Sequence, residues 1–276
     1  MNIFEALVLG LVQGLTEFLP VSSSGHLVIF SNILDIQIDD GNAFSVLLHL
    51  ATFISVCFIY YKDIIELIKE FFLMLGDIFR GRFDMTRPYR RMLIMLIIAT
   101  IPAIAVGLLF KIFDLDAALS NLLVVGIMLI ITSVLMFVID RFGDGKLDAK
   151  NASFTSSLMV GLAQACALMP GLSRSGSTIT ASRALGYKKD FAIKFSFLMS
   201  LPAILGAAVL EGAGLIADGG FSVELAPLAV GFIAAAVSGI LAIKFLINLL
   251  NKNRFYVFSI YCSIVGILSV IFFFVK

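Results

Sequence analysis

The sequence predicts an all-α polytopic membrane protein with an inverted-topology repeat, six full transmembrane spans and two re-entrant helical hairpins. Three observations lead to this fold class: the composition, the distribution of apolar runs, and a sequence window that occurs twice. Sixty per cent of the 276 residues are hydrophobic, only 14% are charged, and the mean hydropathy is +1.06. Soluble globular domains are less apolar than this, so we expect an integral membrane protein.

Six apolar runs are long enough to cross a hydrocarbon core of about 30 Å. They cover residues 43–61, 92–110, 119–139, 195–215, 226–247 and 255–275. Two further apolar segments, residues 2–34 and 153–186, are interrupted near the middle by Pro, Ser and Gly residues. Each of these two segments is predicted to fold as a helix, a polar break and a second helix.

The distribution of basic residues predicts the orientation. Seventeen of the twenty Lys and Arg residues fall in the loops 62–91, 141–152, 183–194 and 244–254. These loops share one face only if segment 153–186 returns to the side from which it entered, as a re-entrant hairpin. The positive-inside rule makes that face cytoplasmic. Since basic and acidic residues are almost equal in number, nucleic acid is not expected as a partner.

One window occurs twice without a gap, first at residues 13–26 and again, in altered form, at residues 164–177. The match superposes the paired Gln, Ser and Gly residues of both windows. We therefore predict a single membrane domain, residues 1–276, made of repeat one at 1–140 and repeat two at 153–276.

By the repeat, segment 2–34 is also a hairpin, which enters from the outer face. Each repeat then holds one hairpin and three spans. Because three is an odd number, the repeats are inverted across the membrane and both chain termini lie outside. Inverted repeats with broken helices place polar sites near the bilayer midplane, and we expect the two hairpin tips to meet there.

Two charged residues, Glu17 and Arg174, lie within or beside the predicted tips, one in each repeat. A charge at membrane depth costs about 2.5–3.5 kcal/mol on insertion scales and indicates function, although a structural ion pair is the alternative. Arg174 offers a planar fork for phosphate oxygens. Gln13 lies one helical turn from Glu17, and together with substrate phosphate these residues could hold one divalent cation, Mg²⁺ or alternatively Ca²⁺.

The Ser and Gly residues of the tips predict an anion-binding site. Serine caps the helix that follows it, helix N-termini attract anions, and glycine lets the backbone approach a ligand. The candidate binding residues from this pattern are Ser22, Ser24, Gly25, Ser173, Ser175 and Gly176.

Serine beside a base and a diphosphate-sized anion site suggests phosphoryl transfer through a covalent intermediate. We expect Ser23 to attack the terminal phosphorus, with Ser22 as the next candidate, and His26 to take or return the proton. Glu17 would orient the cation or polarise His26, and Arg174 would neutralise the phosphoryl charge. A rival scheme makes His26 the nucleophile. His49, inside the span 43–61, is expected to be structural and away from either tip.

The chain resembles, over its whole length, the undecaprenyl-diphosphate phosphatases of the bacitracin-resistance type, and these residues carry the resemblance. Residues 13–26 match the signature [E/Q]-G-L-T-E-F-L-P-V-S-S-x-G-H, and residues 170–178 match P-G-x-S-R-S-G-x-T. The resemblance adds Thr178 to the binding residues. Gln13 departs from the pattern, since many members have glutamate there.

The resemblance implies a membrane hydrolase that removes the terminal phosphate of undecaprenyl diphosphate, with a divalent cation, at the outer face of the bacterial cytoplasmic membrane. This reaction recycles the lipid carrier for peptidoglycan and other envelope polymers. The expected partners are undecaprenyl diphosphate and membrane lipids, and a homodimer is an open alternative. A polyprenyl-phosphate transporter or flippase that uses the same anion site is the second candidate function.

Overall fold

The computed structural model describes residues 1–34, 43–82, 84–113, 115–143, 145–217, 225–252 and 254–275. Within these ranges the chain is helical, as predicted, with twelve helices and no named β-strand. A single β-bridge joins Leu147 to Tyr187 between two loops.

Seven helices lie before residue 140 and five after it. The first seven are α1 (Ile3–Phe18), α2 (Ser23–Leu34), α3 (Ala43–Ile59), α4 (Tyr61–Phe79), α5 (Pro88–Ile112), α6 (Leu115–Leu119) and α7 (Leu122–Ile139). The other five are α8 (Phe154–Cys166), α9 (Arg174–Ala184), α10 (Lys189–Ala217), α11 (Leu225–Asn251) and α12 (Tyr256–Val275).

Five of the described helices, α5, α7, α10, α11 and α12, are long and apolar enough to cross a membrane. The predicted span 43–61 corresponds to α3, which ends at Ile59 and is followed after a bend of 89° by α4. If this bent pair counts as one span, the described residues hold six. The protein is therefore a multi-pass helical membrane protein, and the count of six full spans stays a prediction.

Several helices are longer than the apolar runs that predicted them. Helix α5 begins at Pro88, a residue suited to the first helical position because it has no N–H to donate. Helix α10 begins at Lys189, ahead of its apolar run. Hydropathy marks only the part of a helix that suits the membrane, whereas backbone hydrogen bonds continue into the charged turns beside it.

Segments 2–34 and 153–186 are each broken at the middle, as the sequence predicted. Helix α1 begins with a capping box between Asn2 and Glu5 and ends just before Pro20, which cannot donate a helical hydrogen bond. Helix α2 then begins at Ser23. In the second segment, the break between α8 and α9 ends at Ser173, whose side chain caps α9.

Helices from the two halves of the chain pack closely against one another. Helix α1 packs on α11, and its counterpart in the repeat, α8, packs on α5. A Cβ atom added to Gly10 would lie 2.4 Å from the carbonyl oxygen of Gly231, and one added to Gly161 would lie 2.3 Å from that of Ala99. Only small residues allow helices to approach this closely.

The same device joins α7 to α12. A Cβ atom on Gly126 would lie 2.8 Å from the carbonyl oxygen of Gly266, and a Cβ atom on Gly266 would lie 2.8 Å from that of Gly126. These glycine contacts hold helices of the two halves against one another.

Helix α4 is held against α5 by a buried arginine. Arg90 is only 2% exposed, and its guanidinium donates to Glu70 at 3.2 Å, to Asp77 at 2.7 Å and to the carbonyl oxygen of Asp84 at 3.1 Å. The opposite side of α4 carries exposed apolar side chains, among them Ile68. This amphipathic pattern is typical of a helix at the membrane interface.

The substitution Arg90→Met should lower the free energy of unfolding by about 3 kcal/mol, because the partly buried Asp77 carboxylate loses its cation and Glu70 loses one of its two. Unfolding in mixed detergent micelles would measure the change. The control Arg87→Met, whose ion pair with Glu70 is half exposed, should cost less than about 1 kcal/mol. Equal losses in the two variants would contradict the clamp.

Candidate active site

The two breaks of the chain meet in space. A Cβ atom on Gly25, in α2, would lie 3.1 Å from the Cα atom of Gly171 in the second break. Ser175 Oγ donates a hydrogen bond of 3.4 Å to the carbonyl oxygen of Leu19 in the first break. Gly171 has φ +91°, a left-handed conformation that glycine adopts without strain.

Helix α7 supports the second break through hydrogen bonds from Thr132. Thr132 Oγ1 donates to the carbonyl oxygen of Gly171 at 3.2 Å and accepts from the Ser173 N–H at 3.0 Å. One threonine thus satisfies both a donor and an acceptor of irregular backbone, which membrane-embedded breaks require.

The two tips contain the same small set of hydrogen bonds. Ser22 Oγ accepts from the Gly25 N–H at 3.3 Å, and Ser173 Oγ accepts from the Gly176 N–H at 3.1 Å. In each tip the capping serine also bonds a second hydroxyl, at 3.3 Å between Ser22 and Ser24 and at 3.2 Å between Ser173 and Ser175. Both tips therefore begin a helix with a capped, serine-rich turn, the arrangement expected of an anion site.

The tips differ in backbone strain. Ser22 has φ +69°, the one positive φ of a non-glycine residue within the described ranges. Such conformations cost about 1–3 kcal/mol and occur at functional sites, where surrounding contacts fix them. The strained residue immediately precedes Ser23.

An ion pair between Glu17 and Arg174 joins the tips. Arg174 Nη2 donates to Glu17 Oε1, and the Glu17 side chain is only 5% exposed. The other carboxylate oxygen, Oε2, accepts from Ser23 Oγ at 2.6 Å and from Gln13 Nε2 at 3.0 Å. Four residues predicted from the sequence are thus in direct contact.

His26 is turned away from this cluster. Its Nδ1 lies 2.7 Å from the carbonyl oxygen of Ser22, and its Nε2 lies 2.6 Å from the Tyr261 hydroxyl in α12. The two rings also stack, with centroids 5.5 Å apart. Ser23 Oγ donates its hydrogen bond to Glu17 and not to His26. The contact that the expected proton transfer between Ser23 and His26 would use is therefore not the one this structure shows.

Sequence reasoning missed Tyr261, because a tyrosine within an apolar span carries no signal of its partner. His49 Nδ1 bonds the carbonyl oxygen of Ser45 at 2.9 Å, a contact of the kind that the structural role expected from the sequence requires.

Thr178 faces the helix packing more than the tip. Its hydroxyl donates to the carbonyl oxygen of Arg174 at 2.9 Å and pairs with Ser196 Oγ in α10 at 2.6 Å. These contacts fasten α9 to α10, so the geometry favours a supporting role for Thr178.

Two atoms at the centre remain open to a ligand. Gln13 Oε1 and Arg174 Nη1 are buried and have no hydrogen-bond partner among the described residues. In the first tip, Ser23 is half-buried and Ser24 is exposed. An unpaired guanidinium N–H suits a phosphate oxygen.

The donor set fits a sparsely coordinated divalent cation. Within the described parts of the chain, no group of three or more His, Cys, Asp or Glu side chains could hold a metal. Gln13 Oε1 is nevertheless a buried oxygen without a donor, adjacent to the Glu17 carboxylate. Mg²⁺ is commonly held by one or two protein oxygens, with water and substrate phosphate completing its shell.

Comparison with known proteins places the chain in a family. Residues 6–268, nearly the full length, match the family described as Bacitracin resistance protein BacA. The chain belongs to this BacA family.

Three relatives of this BacA-family chain carry the name undecaprenyl-diphosphatase. The protein of Methanobrevibacter smithii is 44% identical over 273 residues, which cover 97% of this chain and 96% of the relative. The protein of Alkaliphilus metalliredigens is 42% identical, with 99% of each chain covered. The protein of Bacteroides fragilis is 42% identical, with 98% of each chain covered.

The variant Arg174→Met should destabilise the BacA-family protein by about 3 kcal/mol, because the buried Glu17 carboxylate loses its cation. Adding Glu17→Gln should recover most of this loss, since no unpaired charge then remains. Unfolding free energies of both single variants and the double variant would measure the coupling.

Lys188→Met, which breaks an exposed ion pair with Asp148, is the matched control and should cost less than about 1 kcal/mol. A double variant as unstable as Arg174→Met alone would show that the pair does not join the tips.

Proposed function

We propose that this BacA-family protein hydrolyses undecaprenyl diphosphate to undecaprenyl phosphate and inorganic phosphate, which returns the lipid carrier to cell-wall synthesis. One observation carries the proposal: a serine hydroxyl, Ser23, bonds a buried carboxylate that is itself paired with an arginine from the other tip. The names of the relatives support this substrate. The family description fits a contribution to bacitracin resistance.

In the proposed reaction, Arg174 binds the terminal phosphate through its free Nη1. Substrate binding then draws Nη2 from Glu17 toward the phosphate, and the carboxylate becomes a better base. Glu17 takes the proton of Ser23, whose Oγ forms a bond to the terminal phosphorus while the bond to the bridging oxygen breaks. Undecaprenyl phosphate leaves, and water hydrolyses the phosphoserine to inorganic phosphate and free Ser23.

The capped turns support this reaction through their backbone. The N–H groups at the start of α2 and α9 would help to neutralise charge on the transferring phosphoryl group. The hydroxyls of Ser22, Ser24, Ser173 and Ser175 provide further donors around the phosphate. Gly25 and Gly176 allow the close packing of the tips, because a Cβ atom at either position would lie 3.1 Å from a neighbouring carbon atom.

His26 is assigned to the second proton transfer, with the water that hydrolyses the phosphoserine. Its Nδ1 is fixed by the Ser22 carbonyl oxygen and its Nε2 by Tyr261, so the imidazole is held in one orientation close to the tip. Either role, this proton transfer or the alternative with His26 as the nucleophile, requires one ring nitrogen to exchange its present partner for water or substrate.

Gln13 Oε1 and Glu17 would hold a divalent cation, Mg²⁺ or alternatively Ca²⁺. Such a cation supplies positive charge to the diphosphate oxygens. Gln13 also donates to Glu17 Oε2 and so fixes the carboxylate beside Ser23.

We further propose that six full spans and two re-entrant hairpins form inverted repeats in the cytoplasmic membrane of a bacterial cell, with both termini and the active site at the outer face. In each repeat the first helix packs on a helix of the other repeat, α1 on α11 and α8 on α5, and this arrangement supports the repeat. The basic residues concentrated in four loops support the orientation.

A polyprenyl-phosphate transporter or flippase would use the same anion site. It needs charge complementarity with phosphate but no nucleophile. The hydrogen bond from Ser23 to Glu17 therefore favours the hydrolase.

Purified protein in detergent should release inorganic phosphate from undecaprenyl diphosphate. No transport can occur in detergent solution, because there is no membrane with two sides. Arg174→Ala should lower kcat by about 100-fold or more, because charge on the transferring group loses its main partner. Lys188→Ala, which removes an exposed lysine, should keep near-normal activity. Absence of phosphate release from the wild-type protein would overturn the proposed function.

Quenching a reaction with substrate labelled at the terminal phosphate should trap a phosphoenzyme that resists acid, because a phosphoserine ester survives acid and phosphohistidine does not. Ser23→Ala should abolish the label, whereas Ser24→Ala, at the exposed neighbouring hydroxyl, should retain it. An acid-labile label would instead assign the nucleophile to His26.

A further inference from the structure

Gln164 in α8 has an amide that the protein itself does not satisfy. The residue is 2% exposed, and neither its Nε2 nor its Oε1 has a hydrogen-bond partner within the described residues. Leaving a buried polar group unpaired costs about 1–3 kcal/mol, and this amide holds a donor and an acceptor. Unpaired buried groups of this kind call for a specific explanation, and a ligand that supplies the partners is one.

The repeat places Gln164 opposite Gln13. Helices α1 and α8 bury the same face, since Gly10 and Gly161 occupy equivalent positions and both meet a carbonyl oxygen of a helix from the other half. The tips that follow share their capping hydrogen bonds. The side chain of Gln164 therefore lies on the face of α8 that corresponds to the buried face of α1, where Gln13 and Glu17 lie.

What each glutamine meets is different. Gln13 donates to Glu17 one turn later, and this carboxylate also accepts from Ser23 at the start of α2. In the second repeat, Leu168 stands where Glu17 stands in the first, and Arg174 stands where Ser23 stands. Gln164 thus has no carboxylate to receive its N–H₂ group, and the residue at the start of the next helix is a cation.

Arg174 has an unpaired donor of its own. Its Nη2 is engaged by Glu17, whereas its Nη1 is buried without a partner among the described side chains and backbone. Two unpaired N–H donors, Arg174 Nη1 and Gln164 Nε2, therefore belong to the same hairpin. Tetrahedral phosphate oxygens accept hydrogen bonds from several directions and would satisfy both.

We propose that Gln164 is a substrate-binding residue that donates Nε2 to an oxygen of the terminal phosphate, beside Arg174. Its Oε1 accepts from a water or a protonated phosphate oxygen. The two glutamines of the repeat then divide the work: Gln13 holds the carboxylate, and Gln164 holds the phosphate. This inference rests on the proposed function for the identity of the substrate, but its ligand chemistry, a phosphate group, can be tested alone.

The decisive variant is Gln164→Met, which keeps the length of the side chain and removes its polar atoms. A glutamine that only supported the fold would destabilise the protein when replaced. An amide left unpaired in the empty site should not, because an apolar side chain of similar shape removes a buried donor and acceptor that had no partners. We therefore expect an unchanged or higher thermal midpoint, together with a fall in kcat/KM for undecaprenyl diphosphate of at least tenfold.

Binding of inorganic phosphate provides a second measurement that does not depend on turnover. Phosphate at millimolar concentration should raise the thermal midpoint of the wild-type protein, since a ligand that binds only the folded state stabilises it. This increase should shrink or disappear in Gln164→Met. Comparison of phosphate with undecaprenyl diphosphate as protecting ligand separates binding of the free product from binding of the lipid substrate.

Thr180→Val is the matched control, because the Thr180 hydroxyl is also buried and unpaired but lies nearly two turns further along α9. It should keep the thermal midpoint, the kcat/KM and the protection by phosphate. The proposal is overturned if Gln164→Met retains kcat/KM within threefold of the wild type. It is also overturned if the thermal midpoint of this variant falls so far that unfolding accounts for the loss of activity.

The failure of this inference and the failure of the proposed function give different results. If the wild-type protein releases no phosphate from undecaprenyl diphosphate, the proposed function fails, while protection by phosphate still decides the role of Gln164. If the wild-type protein is active and Gln164→Met is equally active and equally protected by phosphate, only the role of Gln164 is lost.

Discussion

The ion pair between Glu17 and Arg174 is the interaction on which the rest of the structure depends. Burying either charge alone in an apolar environment would be costly, and each makes the other tolerable. The two residues are 157 positions apart and belong to different tips, so the pair can form only when both halves of the chain are in place. The fold and the site are therefore assembled by the same contact.

Close helix packing provides the geometry that this ion pair needs. Gly10 and Gly161 let α1 and α8 approach helices of the opposite half, and Gly25 lets the two tips touch at Gly171. Side chains at these positions would separate the helices by at least the width of a methyl group. By allowing this close approach, the glycines bring Glu17 within reach of the guanidinium of Arg174.

The two tips share a scaffold but differ in chemistry. Both have a capping serine that accepts from a glycine N–H, and both pair two serine hydroxyls. The first tip adds a carboxylate and the strained Ser22 before a half-buried serine, whereas the second adds a guanidinium. The two tips therefore share a capped, serine-rich turn, while a carboxylate with a neighbouring serine lies in one tip and a guanidinium lies in the other.

The sequence alone determined the features that depend on local chemistry. Apolar runs specified an all-helical membrane protein, because hydropathy is a property of each segment, and Pro20 with its neighbouring serines specified where a helix must break. The sequence also indicated Glu17 and Arg174 as candidates for function, since few residues in apolar segments can carry chemistry. The repeat further indicated that the tips are related.

Only the tertiary structure decided which groups meet. Ser23 donates to Glu17, and His26 instead bonds Tyr261, a partner 235 positions away that no local pattern reveals. The bend of 89° between α3 and α4 and the unpaired amide of Gln164 become visible only when the tertiary structure is known. Hydrogen bonds between distant segments depend on distances and angles that packing sets, and these are not encoded in the spacing of residues along the chain.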